Sequence, residues 1–107
     1  VALVIATERD LMAAILDLAR LLGWRVAHFR PARTERGWRT PVEGDGAGFP
    51  DLVLVRGKRL VFAELKGPRG RLTPAQSEWL RALSAVEAVE TAIWTLRDWD
   101  AIEEALR

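Results

Sequence analysis

The sequence predicts an α/β domain, a mixed sheet with helices on its faces, in the order α-β-β-β-α-β-α. Three observations carry this. Two short apolar runs, DLVLV and LVFAEL, flank Arg56-Gly57-Lys58-Arg59, the pattern of a hairpin closed by a two-residue Gly-X turn. Amphipathic helical patterns stand on either side of that hairpin, one opening at Thr7 and one at Thr73. A further strand-like run, Glu90 to Leu96, follows the second helix, and if it runs parallel to the strand before that helix the connection is a right-handed crossover. The 107 residues suffice for a single domain, 1–107, with one modest core.

Composition narrows the function classes. Half the residues are hydrophobic and 29% are charged, the balance of a globular domain. The absence of cysteine excludes disulfides, thiolate metal sites and a cysteine nucleophile, and suits a reducing compartment. No apolar run approaches the roughly 18 residues of a membrane span. The net charge of +1 conceals an asymmetry: residues 1–73 hold thirteen Lys/Arg against eight Asp/Glu, and residues 74–107 hold three against seven. Charge of that size does not coat nucleic acid, but a basic front half can grip a polyanion locally. An ordinary solvated surface explains it equally well.

Thr7 to Leu22 has Thr7 as N-cap, Glu8 and Asp10 in the first turn, and Leu11, Ile15, Leu18 and Leu22 at helical spacing before Gly23. Glu8 sits at the edge of that stripe. Either it complements the helix dipole or it aims a carboxylate inward. Trp24 to Arg30 alternates as a strand does. The one histidine, His28, belongs to that strand as a core or edge residue, with a place beside a site as the other reading. Pro31 to Pro50 has no periodicity and is predicted to be a long loop. Arg30, Arg33, Arg36 and Arg39 are spaced through it around Trp38. Guanidinium groups with an aromatic suit phosphate contact and base stacking, against which stands a solvated loop with no partner.

The hairpin brings the charged residues together. With Gly57 and Lys58 as its turn, Arg56 pairs with Arg59, and the register carried back sets Asp51 opposite Glu64. Side chains alternate, so Lys66 shares their face. Two carboxylates opposed on one face destabilise a sheet unless something offsets them, and a hard divalent cation is the simplest offset. Beyond Lys66 lies a basic turn with Arg69 and Arg71. Thr73-Pro74-Ala75-Gln76 then opens a helix as a capping box, which could be the whole purpose of Gln76. Trp79, Leu80 and Leu83 supply its buried stripe, and Asp98 is predicted to cap a last helix with Trp99, Ile102 and Leu106 inward. Trp24, Trp79, Trp94 and Trp99 fall in apolar periodic patterns and are expected in the core.

Gly48-Phe49-Pro50-Asp51, Ala63-Glu64-Leu65-Lys66-Gly67 and Leu72-Thr73-Pro74-Ala75-Gln76, in this order around a hairpin and after a helix with an acid, resemble the virus-type replication-repair nuclease (VRR-NUC) domain of the PD-(D/E)XK nuclease superfamily. The resemblance runs from Thr7-Glu8 to Asp98-Trp99. It implies a restriction-endonuclease-like core and a metal-dependent DNA endonuclease. It also implies that Asp51, Glu64 and the Leu65 carbonyl ligate Mg²⁺ or Mn²⁺, with Glu8 completing the cluster directly or through water. Lys66 matches the lysine that orients the attacking water, and Gln76 a glutamine near the site. Family domains occur alone in phage and bacterial proteins and fused within larger repair proteins. This chain resembles the standalone kind, which implies a cytoplasmic homodimer acting on branched DNA such as Holliday junctions or flaps. Arg30, Arg33, Arg36, Arg39, Arg69 and Arg71 are the expected DNA contacts. Two other readings compete: a catalytically idle nucleic-acid-binding or assembly module of the same fold, and a structural domain whose carboxylates only pair with nearby cations.

Overall fold

The structure, a computed structural model, describes residues 5–29, 32–34, 37–39 and 43–107, with the two three-residue stretches described by backbone alone. Its elements are α1 (Glu8–Leu21), β1 (Arg25–His28), β2 (Ala32–Thr34), β3 (Gly37–Arg39), β4 (Leu52–Arg56), β5 (Arg59–Lys66), α2 (Pro74–Ser84), β6 (Val89–Thr95) and α3 (Trp99–Leu106). Four strands form the main sheet in the order β1-β4-β5-β6. The first two pairings are antiparallel and the last is parallel, so the condition for a crossover through α2 is met.

The hairpin register is the one the sequence predicts. Arg56 pairs with Arg59 and Leu52 with Ala63. Gly57, at φ 59°, takes the first turn position, where a type II′ turn needs a positive φ. This register sorts side chains between two faces. Leu52, Leu54, Val61, Ala63 and Leu65 point to one of them and pack with Leu11, Ile15 and Ala19 of α1, Ile102 and Leu106 of α3, and Trp94. Asp51, Phe62, Glu64 and Lys66 therefore belong to the other face, over which α2 lies against β6.

Arginines lock the turn end. Arg56 donates to the carbonyls of Leu22, Leu106 and Arg107, ending α1 and α3 together. Its guanidinium and that of Arg59 lie 4.5 and 4.9 Å from the centre of the Trp24 ring. The Trp24 indole N–H donates to the Leu106 carbonyl at 2.8 Å.

Four expectations are corrected. The 31–50 segment is not without regular structure: β2 and β3 form a two-stranded antiparallel ribbon within it. Three-residue strands are too short to leave an alternation in the sequence. Asp98 stands at the N-cap of α3 but makes no capping bond; its carboxylate accepts from the Thr95 backbone N–H and hydroxyl instead. Trp24 and Trp94 are core and Trp99 packs against it, whereas Trp79 is half-buried on the α2 side and meets the Phe49 ring edge-on. In α1 the fully buried positions are Leu11, Ile15 and Ala19, while Leu18 and the C-cap residue Leu22 are only partly covered.

Candidate active site

Asp51 reaches its place through Pro50, which is fully buried and fixes the chain as it enters β4. One Asp51 carboxylate oxygen accepts from the Leu65 backbone N–H at 2.8 Å. That bond ties the two strands at the open end of the hairpin, beyond the last ladder pair. Glu64 lies beside it, 2% exposed, as the register requires. Burial and then the neighbouring Asp51 carboxylate, which also hydrogen-bonds to it, push the Glu64 carboxyl up to about 8, while Lys66 and the Asp51 backbone N–H pull the other way. Near pH 7 the pair thus holds a proton in the place where a cation would otherwise balance it.

Lys66 and Gln76 complete the cluster. The Lys66 ammonium stands 3.7 Å from Glu64 Oε1 and donates to Gln76 Oε1 at 2.8 Å. The Gln76 amide nitrogen donates to the same Glu64 oxygen at 2.9 Å. The capping box of α2 is also formed: the Thr73 hydroxyl accepts from the Gln76 backbone N–H, and Gln76 Oε1 accepts from the Thr73 N–H. Gln76 thus caps α2 and at the same time hydrogen-bonds to Glu64 and Lys66. A carboxamide has an acceptor and a donor on one carbon, so a single side chain caps the helix and bridges base and acid.

Glu8 comes from the far side. It opens α1 behind the Thr7 cap, where Asp10 rather than Glu8 closes the capping box. Much of the residue is exposed, yet its carboxylate turns toward the Gly67 backbone N–H. Desolvation of that end, then Asp51, raises its pKa, with Lys66 and the Gly67 N–H acting against them. Glu8 thus senses Asp51 electrostatically, but among the described residues no three acidic, His or Cys side chains close around one point as a ready metal cage. Asp51 and Glu64 are a pair, with Glu8 alongside. An all-oxygen donor set of two carboxylates with the adjoining Leu65 carbonyl fits a hard divalent ion, with water in the remaining positions.

The other candidates divide. Arg69 and Arg71 are exposed in the turn that follows Lys66. The side chains of Arg30, Arg33, Arg36, Arg39 and Trp38 lie outside the described residues. His28 pairs with Leu52 and so projects to the α1 face, across the sheet from Glu64. Sequence reasoning overlooked the aromatic group beside the site: Phe49 meets Phe29, Phe62 and Trp79 edge-on at 5.5, 5.8 and 5.0 Å. Alternation in β5 could have placed Phe62 on the Glu64 face, but nothing in the sequence couples it to Phe29.

Among curated proteins, none matches the chain. The VRR-NUC domain matches residues 13–91, a span that holds Asp51, Glu64, Lys66 and Gln76 and begins after Glu8. With the hairpin, the acid pair, the lysine and the helix that carries Gln76 all in place within that span, the chain belongs to the VRR-NUC family, nuclease domains of the PD-(D/E)XK type.

Proposed function

We propose that the protein is a Mg²⁺- or Mn²⁺-dependent endonuclease that hydrolyses phosphodiester bonds in branched DNA, such as Holliday junctions or flaps, and works as a homodimer. The observation that carries the reading is the Asp51–Glu64 pair, in which the buried Glu64 lies beside Lys66 and is bridged to it by Gln76. Asp51, Glu64 and the Leu65 carbonyl would hold the ion, with Glu8 joining directly or through water. An ion held there would supply polarisation of the phosphoryl oxygens and a lowered pKa for water. Lys66 orients the attacking water and offsets negative charge gathering on the phosphate. Gln76 keeps the lysine and Glu64 at fixed separation through its two bonds, so both face the same reacting group. Water adds to phosphorus as the bond to the leaving sugar oxygen breaks in line, and a proton passes to that oxygen. Arg69 and Arg71, next to Lys66 in sequence, supply phosphate contacts that position the strand, together with Arg30, Arg33, Arg36 and Arg39 from the preceding segment. A four-way junction presents two symmetry-related strands, which a two-fold dimer matches.

The test is cleavage of a labelled panel of four-way junction, flap, splayed arm, duplex and single strand, with Mg²⁺, Mn²⁺ or EDTA, beside Lys66→Ala. Cutting by the wild type alone, abolished by EDTA and strongest on branched substrates, is the expected result. Equal cutting of plain duplex removes the structure selectivity. Tight binding with no cutting under either metal replaces the enzyme with an idle binding module.

A further inference from the structure

The four residues Gly46–Phe49 form a turn closed by the Phe49 N–H, which donates to the Gly46 carbonyl at 3.1 Å. Gly48 takes the third position at φ +84°, as a type II turn requires. Gly44, earlier in the same segment, also has a positive φ, of +69°. Their surroundings differ. A Cβ on Gly44 would meet nothing within 4 Å. One on Gly48 would lie 2.5 Å from the Ala75 carbonyl carbon, 2.7 Å from the Gln76 backbone nitrogen and 2.8 Å from Ala75 Cβ. The turn is thus seated directly on the peptide that carries Gln76. Two contacts fasten it there: the Trp79 indole N–H donates to the Asp45 carbonyl at 2.8 Å, and the Phe49 and Trp79 rings meet edge-on. Trp79 follows Gln76 by three residues, on the same side of the helix.

We propose that Gly48 is a positioning residue: its missing side chain seats the first turn of α2 at the depth from which Gln76 reaches both Glu64 and Lys66. The bridge has little slack, because one carboxamide must keep bonds of 2.9 and 2.8 Å at once. Two of the three atoms that a Gly48 Cβ would strike are backbone, so no rotamer change relieves the overlap. Either the helix end or the turn has to move. The consequence for turnover rests on the nuclease reading above; the consequence for Gln76 does not.

The chain offers a direct probe. Gln76 is its only glutamine and it contains no asparagine, so a nitrogen-edited proton NMR spectrum of the labelled, metal-free chain holds a single carboxamide pair. In Gly48→Ala that pair moves towards the position of a free carboxamide. On whichever DNA the wild type cuts, kcat falls about a hundredfold with KM little changed, as a misplacement of about 1 Å costs. Gly44→Ala carries similar backbone strain without the overlap and leaves both readouts alone. A folded Gly48→Ala with the pair at its wild-type position overturns the proposal, and so does an equal displacement in Gly44→Ala. Should Gly48→Ala lack helical circular dichroism, the double variant Gly48→Ala/Ala75→Gly replaces it: the side-chain part of the overlap is relieved while both backbone contacts remain, so the pair is still displaced, and an unmoved pair in that folded variant overturns the proposal. If the wild type cuts no DNA, the nuclease reading fails while the amide pair still decides this one.

Discussion

Glu64 is a carboxyl whose surroundings favour its neutral form, because burial and Asp51 together hold its pKa near 8 rather than near 4.5. Between those values the folded chain keeps a proton that the unfolded chain releases. Stability from this group is therefore complete below about pH 4.5 and is lost as pH rises through about 8. The raised pKa of the Glu8 carboxyl acts in the same direction. The upper limit for Glu64 is on the order of 5 kcal/mol in metal-free protein. Thermal melts of the metal-free chain should thus show a falling Tm from pH 5 to pH 9, with the slope flattened in Glu64→Gln. Mg²⁺ or Mn²⁺ should raise the wild-type Tm more at pH 8 than at pH 5, since the ion replaces the proton. Parallel pH curves for wild type and Glu64→Gln would contradict this account of the pair.

At the scale of elements, α1 and α2 begin alike and serve different ends. Each has a threonine cap with a closed capping box, and removal of either hydroxyl should cost about 1 kcal/mol in urea denaturation. The two differ at the third helical position. In α1 this is Asp10, whose carboxylate is spent on the Ala6 and Thr7 N–H groups. In α2 it is Gln76, which also holds Glu64 and Lys66. Thr73→Ala should therefore lower kcat about tenfold, the scale of one loosened hydrogen bond in the transition state. Thr7→Ala should leave kcat near wild type. Equal losses in the two variants would mean that helix stability alone, rather than the hold on Gln76, governs turnover.

For the whole molecule, the architecture separates stability from chemistry. Trp24, Arg56 and the ends of α1 and α3 meet at the turn end of the hairpin, while the acid pair, Lys66 and Gln76 occupy its open end. The apolar core and the site also lie on opposite faces of the sheet, so Ile102→Ala, which empties a fully buried position, should lower stability by about 2–5 kcal/mol without shifting the metal response. In the proposed assembly, light scattering should give the mass of two chains, and cleavage of a four-way junction should yield paired incisions. A monodisperse monomer, with or without junction DNA, would remove the paired cut but leave single-strand cleavage intact.

The sequence by itself determined the elements with strong local signals and the chemistry that one hairpin can align. Two apolar runs and Gly57 set a register in which Asp51 and Glu64 share a face, because strand geometry follows from alternation and turn length alone. Thr7 and Thr73 set the helix starts for the same kind of local reason. What only the tertiary structure decided depends on contacts between residues distant in the chain. Sequence could assign Gln76 a cap or a place at the site, but not both, because the second depends on how α2 crosses the sheet. It could mark Gly48 as a breaker, but not as the surface against which Ala75 is pressed. Asp98 was misread because its nearer partner was Thr95, three residues back, rather than the helix ahead. The two-stranded ribbon escaped notice because three residues are too few to leave a period, and its pairing comes from closure of the chain rather than from pattern.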